Sequence, residues 1–366
     1  MQSSPSLIIF SVEQPEYAEA LAFAESVVMP QGAIFIRELL RQKRTDQPAI
    51  RIGISKEEVK ENLRIAIRSG AVTRPDLERF ISAVEGWGNQ HVYLFDPGPV
   101  ADLRIWKSAR NVQRALAAIG HGEIWQRADD PSFPEELVVA SASFRDGFFE
   151  LLWRAKDEQW WRDAAKDRPR EEIDGDLYEF RAYRQELKRA VMRFVLFPAS
   201  RKAALFVQVP LGKRHSQALA TARQTLDALF RFSDLRAADI STAVKVLDSR
   251  DLDAEDAGKH GHMKAQNTKF EAEGATVEFD ADPTIGAWKQ VAAVRRVRRA
   301  LRTDAFRGQS GRFVVSLRLG PGLNRDVVMS LNGDAGRIYL QAQLNFEEVW
   351  TILDQVLDAC PPSAPP

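Results

Sequence analysis

The residues with the best claim to chemistry fail on spacing. Gly308-Gln309-Ser310-Gly311 comes nearest to a nucleophile elbow, but its second glycine stands one place too early. The stretch reads as a loop ahead of a strand at Phe313. Among the histidines His91, His121, His215, His260 and His262, only His260 and His262 are close in sequence, at i, i+2 spacing. With nearby carboxylates they could ligate a metal, but no cysteine pair completes a zinc set, and the segment reads as an exposed loop. The run Asp248, Asp251, Asp253, Glu255, Asp256 invites a calcium loop, yet the sixth position from Asp251 needs glycine and holds Asp256. Glu171, Glu172, Asp174 and Asp176 could supply paired carboxylates for acid–base work. Their setting between Pro169 and Gly175 reads instead as a solvated loop. Neither a P-loop nor a G-x-G-x-x-G turn occurs, so no nucleotide, metal or other cofactor is expected. The leaning is away from an enzyme, with a dispersed site lacking a linear motif as one alternative.

Charge is the more informative feature. The 366 residues carry 51 Lys and Arg against 51 Asp and Glu, a formal net charge of zero. The charges are sorted into blocks. Residues 181–214 hold Arg181, Arg184, Lys188, Arg189, Arg193, Arg201, Lys202, Lys213 and Arg214 against Glu186. Residues 289–318 hold nine bases against Asp304, and residues 37–51 add Arg37, Arg41, Lys43, Arg44 and Arg51 against Glu38 and Asp46. The balancing acids gather in 157–179 and 248–282. Such sorting can raise a local potential of several kT on a neutral chain, and arginine forks bidentately onto phosphate. Candidate contacts for nucleic acid or an acidic partner are Arg37, Arg41, Arg44, Arg184, Arg193, Arg201, Lys202, Arg295, Arg299 and Arg302.

These side chains need elements to hold them. Residues 1–120 read as a helical domain. Ser55 with Glu58, and Thr73 with Asp76, mark helix starts. Residues 121–248 read as an antiparallel sheet with helices, its strands at 137–140, 148–153, 191–197 and 203–209. A mobile acidic loop is expected at 249–262. Residues 263–360 then read as a helix, a β-meander turning at Asn332-Gly333-Asp334, and a C-terminal helix capped by Asn345. Residues 361–366 form a tail. The fold class is α+β: an N-terminal helical bundle, then antiparallel sheet with packed helices.

The helix expected over 286–301 sets an apolar stripe of Trp288, Val291, Val294, Val297 and Leu301 against Arg295, Arg299 and Arg302. Its arginines could lie along a phosphate backbone, or pair with the chain's own acidic segments. An amphipathic membrane helix fits less well, because a sheet follows that would bury the stripe. Tyr178, Phe180, Tyr183, Phe194, Phe197 and Phe206 interleave with Arg184, Arg193 and Arg201. At strand spacing such aromatics read first as core and second as a platform for stacking single-stranded bases.

The single cysteine, Cys360, excludes an internal disulfide and points to a reducing cytoplasmic compartment. No secretory leader or membrane span is expected. Abundant alanine and arginine in excess of lysine suggest a GC-rich bacterial genome.

The layout resembles the centromere protein N (CENP-N) family. The likeness lies in a helix ending at Ser69-Gly70-Ala71, a second opening at Thr73-Arg74-Pro75-Asp76-Leu77, and the exit Trp87-Gly88-Asn89-Gln90-His91-Val92-Tyr93. It extends to the strand Phe148 to Trp153 with its charged spacer. The resemblance implies a non-catalytic protein that binds DNA-associated surfaces through basic residues and pairs with a related partner. In a bacterium, only a basic DNA- or protein-docking scaffold would carry over. The expected function is therefore a DNA-associated scaffold in a multi-protein assembly, with nucleic acid, DNA favoured, and protein as partners. The alternative is an adaptor that docks an acidic protein.

Overall fold

The computed structural model describes residues 15–97, 103, 106, 108–127, 132–145, 147–209, 211, 215–229, 234–256, 263–280, 292–303, 305–318 and 324–360. The fold is α+β and divides into two compact units. The first comprises Met1–Glu85 with Asp129–Ser132, and the second comprises Gly86–Ala128 with Phe133–Pro366. The expected helical domain thus ends at residue 85 rather than 120. The strand and helix that follow carry apolar residues that join the sheet's core instead.

The helical unit contains α1 (Pro15–Phe23, continued by a π-helical turn, Ala24–Val28), α2 (Ala33–Asp46), α3 (Lys56–Arg68) and α4 (Arg74–Val84). Phe23, Ile36, Leu40, Leu63, Ile67, Leu77 and Ile81 meet in its core. At the start of α3 the Ser55 hydroxyl accepts from the Glu58 N–H, and the Glu58 carboxylate accepts from the N–H groups of Ile54 and Ser55. Asp76 works harder at the start of α4. It accepts from the Thr73 N–H and hydroxyl and pairs with Lys43 at 2.7 Å and Arg79 at 2.5 Å, although it is buried.

Burial pushes the Asp76 carboxyl up, but the hydrogen bonds from Lys43, Thr73 and Arg79 outweigh it and hold the pKa at about 2. A folded pKa below the unfolded 3.8 stabilises the fold above that value and is lost as pH falls through the folded one. Asp76→Ala is expected to destabilise the helical unit by about 2 kcal/mol at neutral pH. Urea titrations of both proteins should show that gap closing between about pH 4 and pH 2.

In the second unit, among the described residues, eleven strands make one sheet in which every strand pair is antiparallel. These are β1 (Gln90–Asp96), β2 (Val138–Arg145), β3 (Phe148–Arg162), β6 (Tyr183–Phe197), β7 (Lys202–Gln208), β8 (Arg236–Ala237), β9 (Met263–Ala272), β10 (Ala275–Asp280), β11 (Arg307–Arg318), β12 (Asn324–Asn332) and β13 (Arg337–Leu340). The order is β10-β9-β11-β12-β13-β1-β7-β6-β3-β2, with β8 beside β1. A separate pair, β4 (Arg168–Ile173) and β5 (Asp176–Phe180), lies off this sheet. The two β-rich regions expected from sequence are therefore one sheet, because β13 and β7 both pair with β1.

Over β1, β7, β6 and β3 both faces of the sheet are covered, which explains why these strands read as nearly continuous apolar runs. On one face Val92, Leu94, Val195, Phe206, Phe313 and Met329 pack with α7 (Ile240–Asp256) and α9 (Phe346–Leu357). On the other, Trp153, Met192, Phe194, Leu205 and Val207 pack with α5 (Ala109–Ala118) and α6 (His215–Leu229). Gly308 and Gly333 allow α7 to lie close. A Cβ at Gly308 would stand 2.5 Å from the Ser241 carbonyl oxygen, and one at Gly333 would stand 2.9 Å from the Ser241 Cα. The stretch 308–311 is accordingly part of β11, paired with β9 and β12, and not a loop. The Asn345 cap on α9 is present, with the Glu348 N–H donating to Asn345 and the Glu348 carboxylate accepting in return.

Cys360 packs against the α9 side of this core. Burial, and secondarily the charge of Asp239, push its thiol up to about 11. At pH 8 its alkylation is expected to run about 100-fold slower than that of an ordinary thiol, and denaturant should abolish the difference.

Candidate docking surface

Residues 249–256 are not a loop but the last turns of α7, while 257–262, with His260 and His262, lie outside the described residues. The helix expected over 286–301 is observed as α8 (Ala292–Ala300); Trp288 and Val291 also lie outside. The inward face of α8 is rotated from the expected stripe. Val297 is 45% exposed, whereas Arg298 is 0% exposed. Arg298 donates to the buried Asp248 carboxylate at 2.8 Å and reaches that of Asp251 at 3.4 Å. Thr268 on β9 donates to Asp248 at 3.1 Å, and Asp251 accepts from the Ala265 N–H. One helical turn on, Arg302 pairs with Asp253 at 3.0 Å and donates to the Ser249 carbonyl. The buried carboxylate of Asp248 on α7 decides the face, since leaving it without a cation costs more than exposing one valine.

The other candidates are similarly committed. Arg193, 2% exposed, lies 3.1 Å from Glu150 and stacks 3.9 Å over the Trp87 ring. Lys202 pairs with Asp354, and Arg201 donates to the Pro97 carbonyl. In the helical unit Arg37 donates to the Ile54 carbonyl and Arg41 pairs with Glu38. Arg295 is half-buried, while Arg44, Arg184 and Arg299 are exposed. Within the second unit the described candidate arginines are spread across the sheet. Arg184 and Arg193 sit on β6, with β7, β1, β13, β12 and β11 between it and β9, one of the strands against which α7, the helix that holds α8, packs. At sheet spacing that separation is roughly 29 Å.

The histidines and acids of the sequence also find places. His91 lies on β1, and His121 follows α5, 3.8 Å from Glu123. Glu171 and Glu172 lie on β4 and Asp176 on β5, all exposed, and Asp174-Gly175 makes the turn with positive φ at both residues. No group of three or more His, Cys, Asp or Glu gathers as metal ligands among the described residues. Nor is any helix among them long and apolar enough to cross a membrane.

The sequence did not foresee the arm. β3 and β6 run twice as far as their apolar stretches and stay in continuous register from Phe149↔Leu196 to Arg162↔Tyr183. Beyond Ala155 and Ala190 they leave the core and project as a two-stranded ribbon. Register places Trp160, Tyr183 and Leu187 on one face, with Trp160 opposite Gln185 and diagonal to the other two. Their exposures are 60%, 53% and 43%. Trp161 and Arg184 face the other way, with Lys188 5.3 Å from the Trp161 ring. Past the ribbon, Arg162 grips Asp167 through both carboxylate oxygens, and Asp167 also accepts from the Ala182 N–H. These contacts, Arg162 foremost, hold the Asp167 carboxyl down at about 2. Leu177 and Tyr178 on β5 are 68% and 45% exposed. Tyr178 and Tyr183, read from sequence as core, are thus surface residues, while Phe194 and Phe206 are core. The doublet Trp160-Trp161 in a charged run was the signal available, since two adjacent residues of a strand cannot both face one core.

A groove of about 1180 Å³ opens where α6 stops covering the sheet. Its floor includes Ala155, Ala190 and Leu211, and its rim carries Glu135, Glu136, Asp157, Glu158 and Trp161. Lys156 is held by Glu135 at 2.8 Å and Glu158 at 2.5 Å. The hydrogen bond from Lys156 holds the Glu158 carboxyl below its usual range, opposite to the rise that proton transfer at neutral pH requires. No family model matches this chain, and a comparison with curated proteins finds no match.

Proposed function

We propose that this chain is a non-catalytic docking protein that meets a partner protein through the β3–β6 arm. The observation that carries the reading is the aromatic face of the ribbon, where Trp160, Tyr183 and Leu187 stand in solvent on a rigid, fully paired scaffold. Large aromatics with flanking arginine make up the residue set in which contact energy concentrates. Chemistry of the arm favours protein over nucleic acid. Between residues 156 and 188 there are ten carboxylates against eight Lys and Arg, so the ribbon does not attract a phosphate backbone. Arg193, Arg298 and Arg302 are already engaged by the chain's own carboxylates. Of what the CENP-N resemblance implies, this reading keeps a scaffold that pairs with a partner protein.

The test replaces Trp160, Tyr183 and Leu187 together by serine, which leaves both cores untouched. Complexes are isolated from the cells that make the protein. The wild type should elute as part of a larger protein assembly and the variant as the free chain. Co-elution of the variant with the same assembly would refute the arm as its contact. Nucleic acid co-purifying equally with both proteins, and releasing them at raised salt, would favour the DNA-associated reading instead.

A further inference from the structure

The arm carries a second feature, a stretch of strand edge beside the acidic groove that no described strand covers. Along β3 the backbone groups of successive residues point alternately toward β6 and away from it. The Lys156 N–H donates to the Pro134 carbonyl, on the side away from β6. Because β3 keeps its register with β6 through Arg162, Glu158 and Trp160 turn their N–H and C=O groups the same way. β2 pairs with β3 only as far as Val138↔Arg154. Among the described residues no strand covers the edge at Glu158 and Trp160. Two successive outward donor–acceptor sets therefore border the groove lined by residues 155–161 of this same strand.

An uncovered edge is a template for another strand, and natural proteins guard such edges with charge. Here the guards select a sign. Glu135, Glu136, Asp157 and Glu158 surround the groove against Lys156, which Glu135 and Glu158 already hold. Trp160 and Trp161, on opposite faces of the edge, offer rings to aliphatic stems and cationic heads. A neutral or acidic strand would leave the carboxylates uncompensated, while an extended strand with Lys or Arg at alternate positions would pair with them.

We propose that the open edge of β3 takes an extended, lysine- or arginine-bearing segment of a partner protein as an added strand, in line with β2, with its basic side chains in the acidic groove. This names the chemistry of the partner on the arm and rests on the reading of the arm as a protein-docking element. Backbone pairing supplies affinity in such a mode, and side-chain pockets supply selectivity.

The test uses the full chain and a short fluorescent peptide of alternating lysine and valine, followed by anisotropy. Saturable binding is expected. N-methylation of the alternate amides that would pair with β3 should weaken it at least tenfold, roughly the loss of one or two hydrogen bonds to backbone. Glutamate in place of lysine should weaken it comparably, as should the variant Glu136→Lys with Asp157→Lys. No saturation at about 1 mM peptide, or binding indifferent to N-methylation, would overturn the proposal without any variant having to fold. A peptide that fails to bind, while the serine-substituted arm still loses its assembly, sinks the strand-addition proposal alone. A peptide that binds while that arm variant keeps its assembly refutes the arm reading and, with it, the proposal as stated.

Discussion

Arg298→Ala is expected to lower the unfolding free energy of the sheet unit by about 3–5 kcal/mol, because it takes the guanidinium away from the buried Asp248 carboxylate. Asp248 is 1% exposed and Asp251 is 4% exposed, so water cannot take the place of the guanidinium. Thr268 would still donate to Asp248, but a neutral hydroxyl does not balance the carboxylate charge. Arg298→Lys keeps the charge but not the fork that holds both Asp248 carboxylate oxygens through Nε and Nη2, and an intermediate loss is expected. Arg296→Ala, on the exposed side of the same helix, should change stability by less than about 0.5 kcal/mol. Urea denaturation of the four proteins decides the matter. Equal, small effects at 296 and 298 would mean that α8 presents its arginines outward, as the valine spacing alone suggests.

The second large effect is expected at Arg193. It stands at the centre of β6, 3.1 Å from Glu150 and against Trp87, with Arg145 also reaching Glu150 at 3.1 Å from a more exposed position. Arg193→Ala removes the cation–π stack and leaves Glu150, 6% exposed, with Arg145 alone. A loss of about 3 kcal/mol is expected. Glu150→Gln should lose less, and the double variant should lose clearly less than the sum, since the two residues are in contact. Additive losses in that cycle would show that Arg193 is held by packing rather than by Glu150.

These sites also mark where sequence reading stops. Elements with one wet face were legible. The caps at Ser55, Thr73 and Asn345, the turn at Asn332-Gly333, and the helical periods around them appear where local chemistry puts them. Charge burial was not legible. Asp248 and Asp251 belong to a polar run whose natural reading is a solvated loop, and only an arginine about fifty residues away makes them interior. Arg298 shares a face with Val294 and Leu301 but was passed over because valine is the stronger local signal. The arm was missed for a different reason. Its outer half has water on both faces, so it shows no apolar alternation, and strand pairing there is inherited from the buried half by register. Among the described residues part of the sorted charge is thus paired within the chain, as at Arg193, Lys202, Arg298 and Arg302, and the proposed contact for a partner is the aromatic ribbon.

The most direct test places a photo-crosslinking amino acid at position 160 of the full chain in the cells that make it, with position 44 on the exposed end of α2 as comparison. The arm reading predicts a discrete adduct from position 160 that proteases degrade and nucleases leave intact, and none from position 44. A nuclease-sensitive adduct at 160, or adducts formed only at 44, would contradict it.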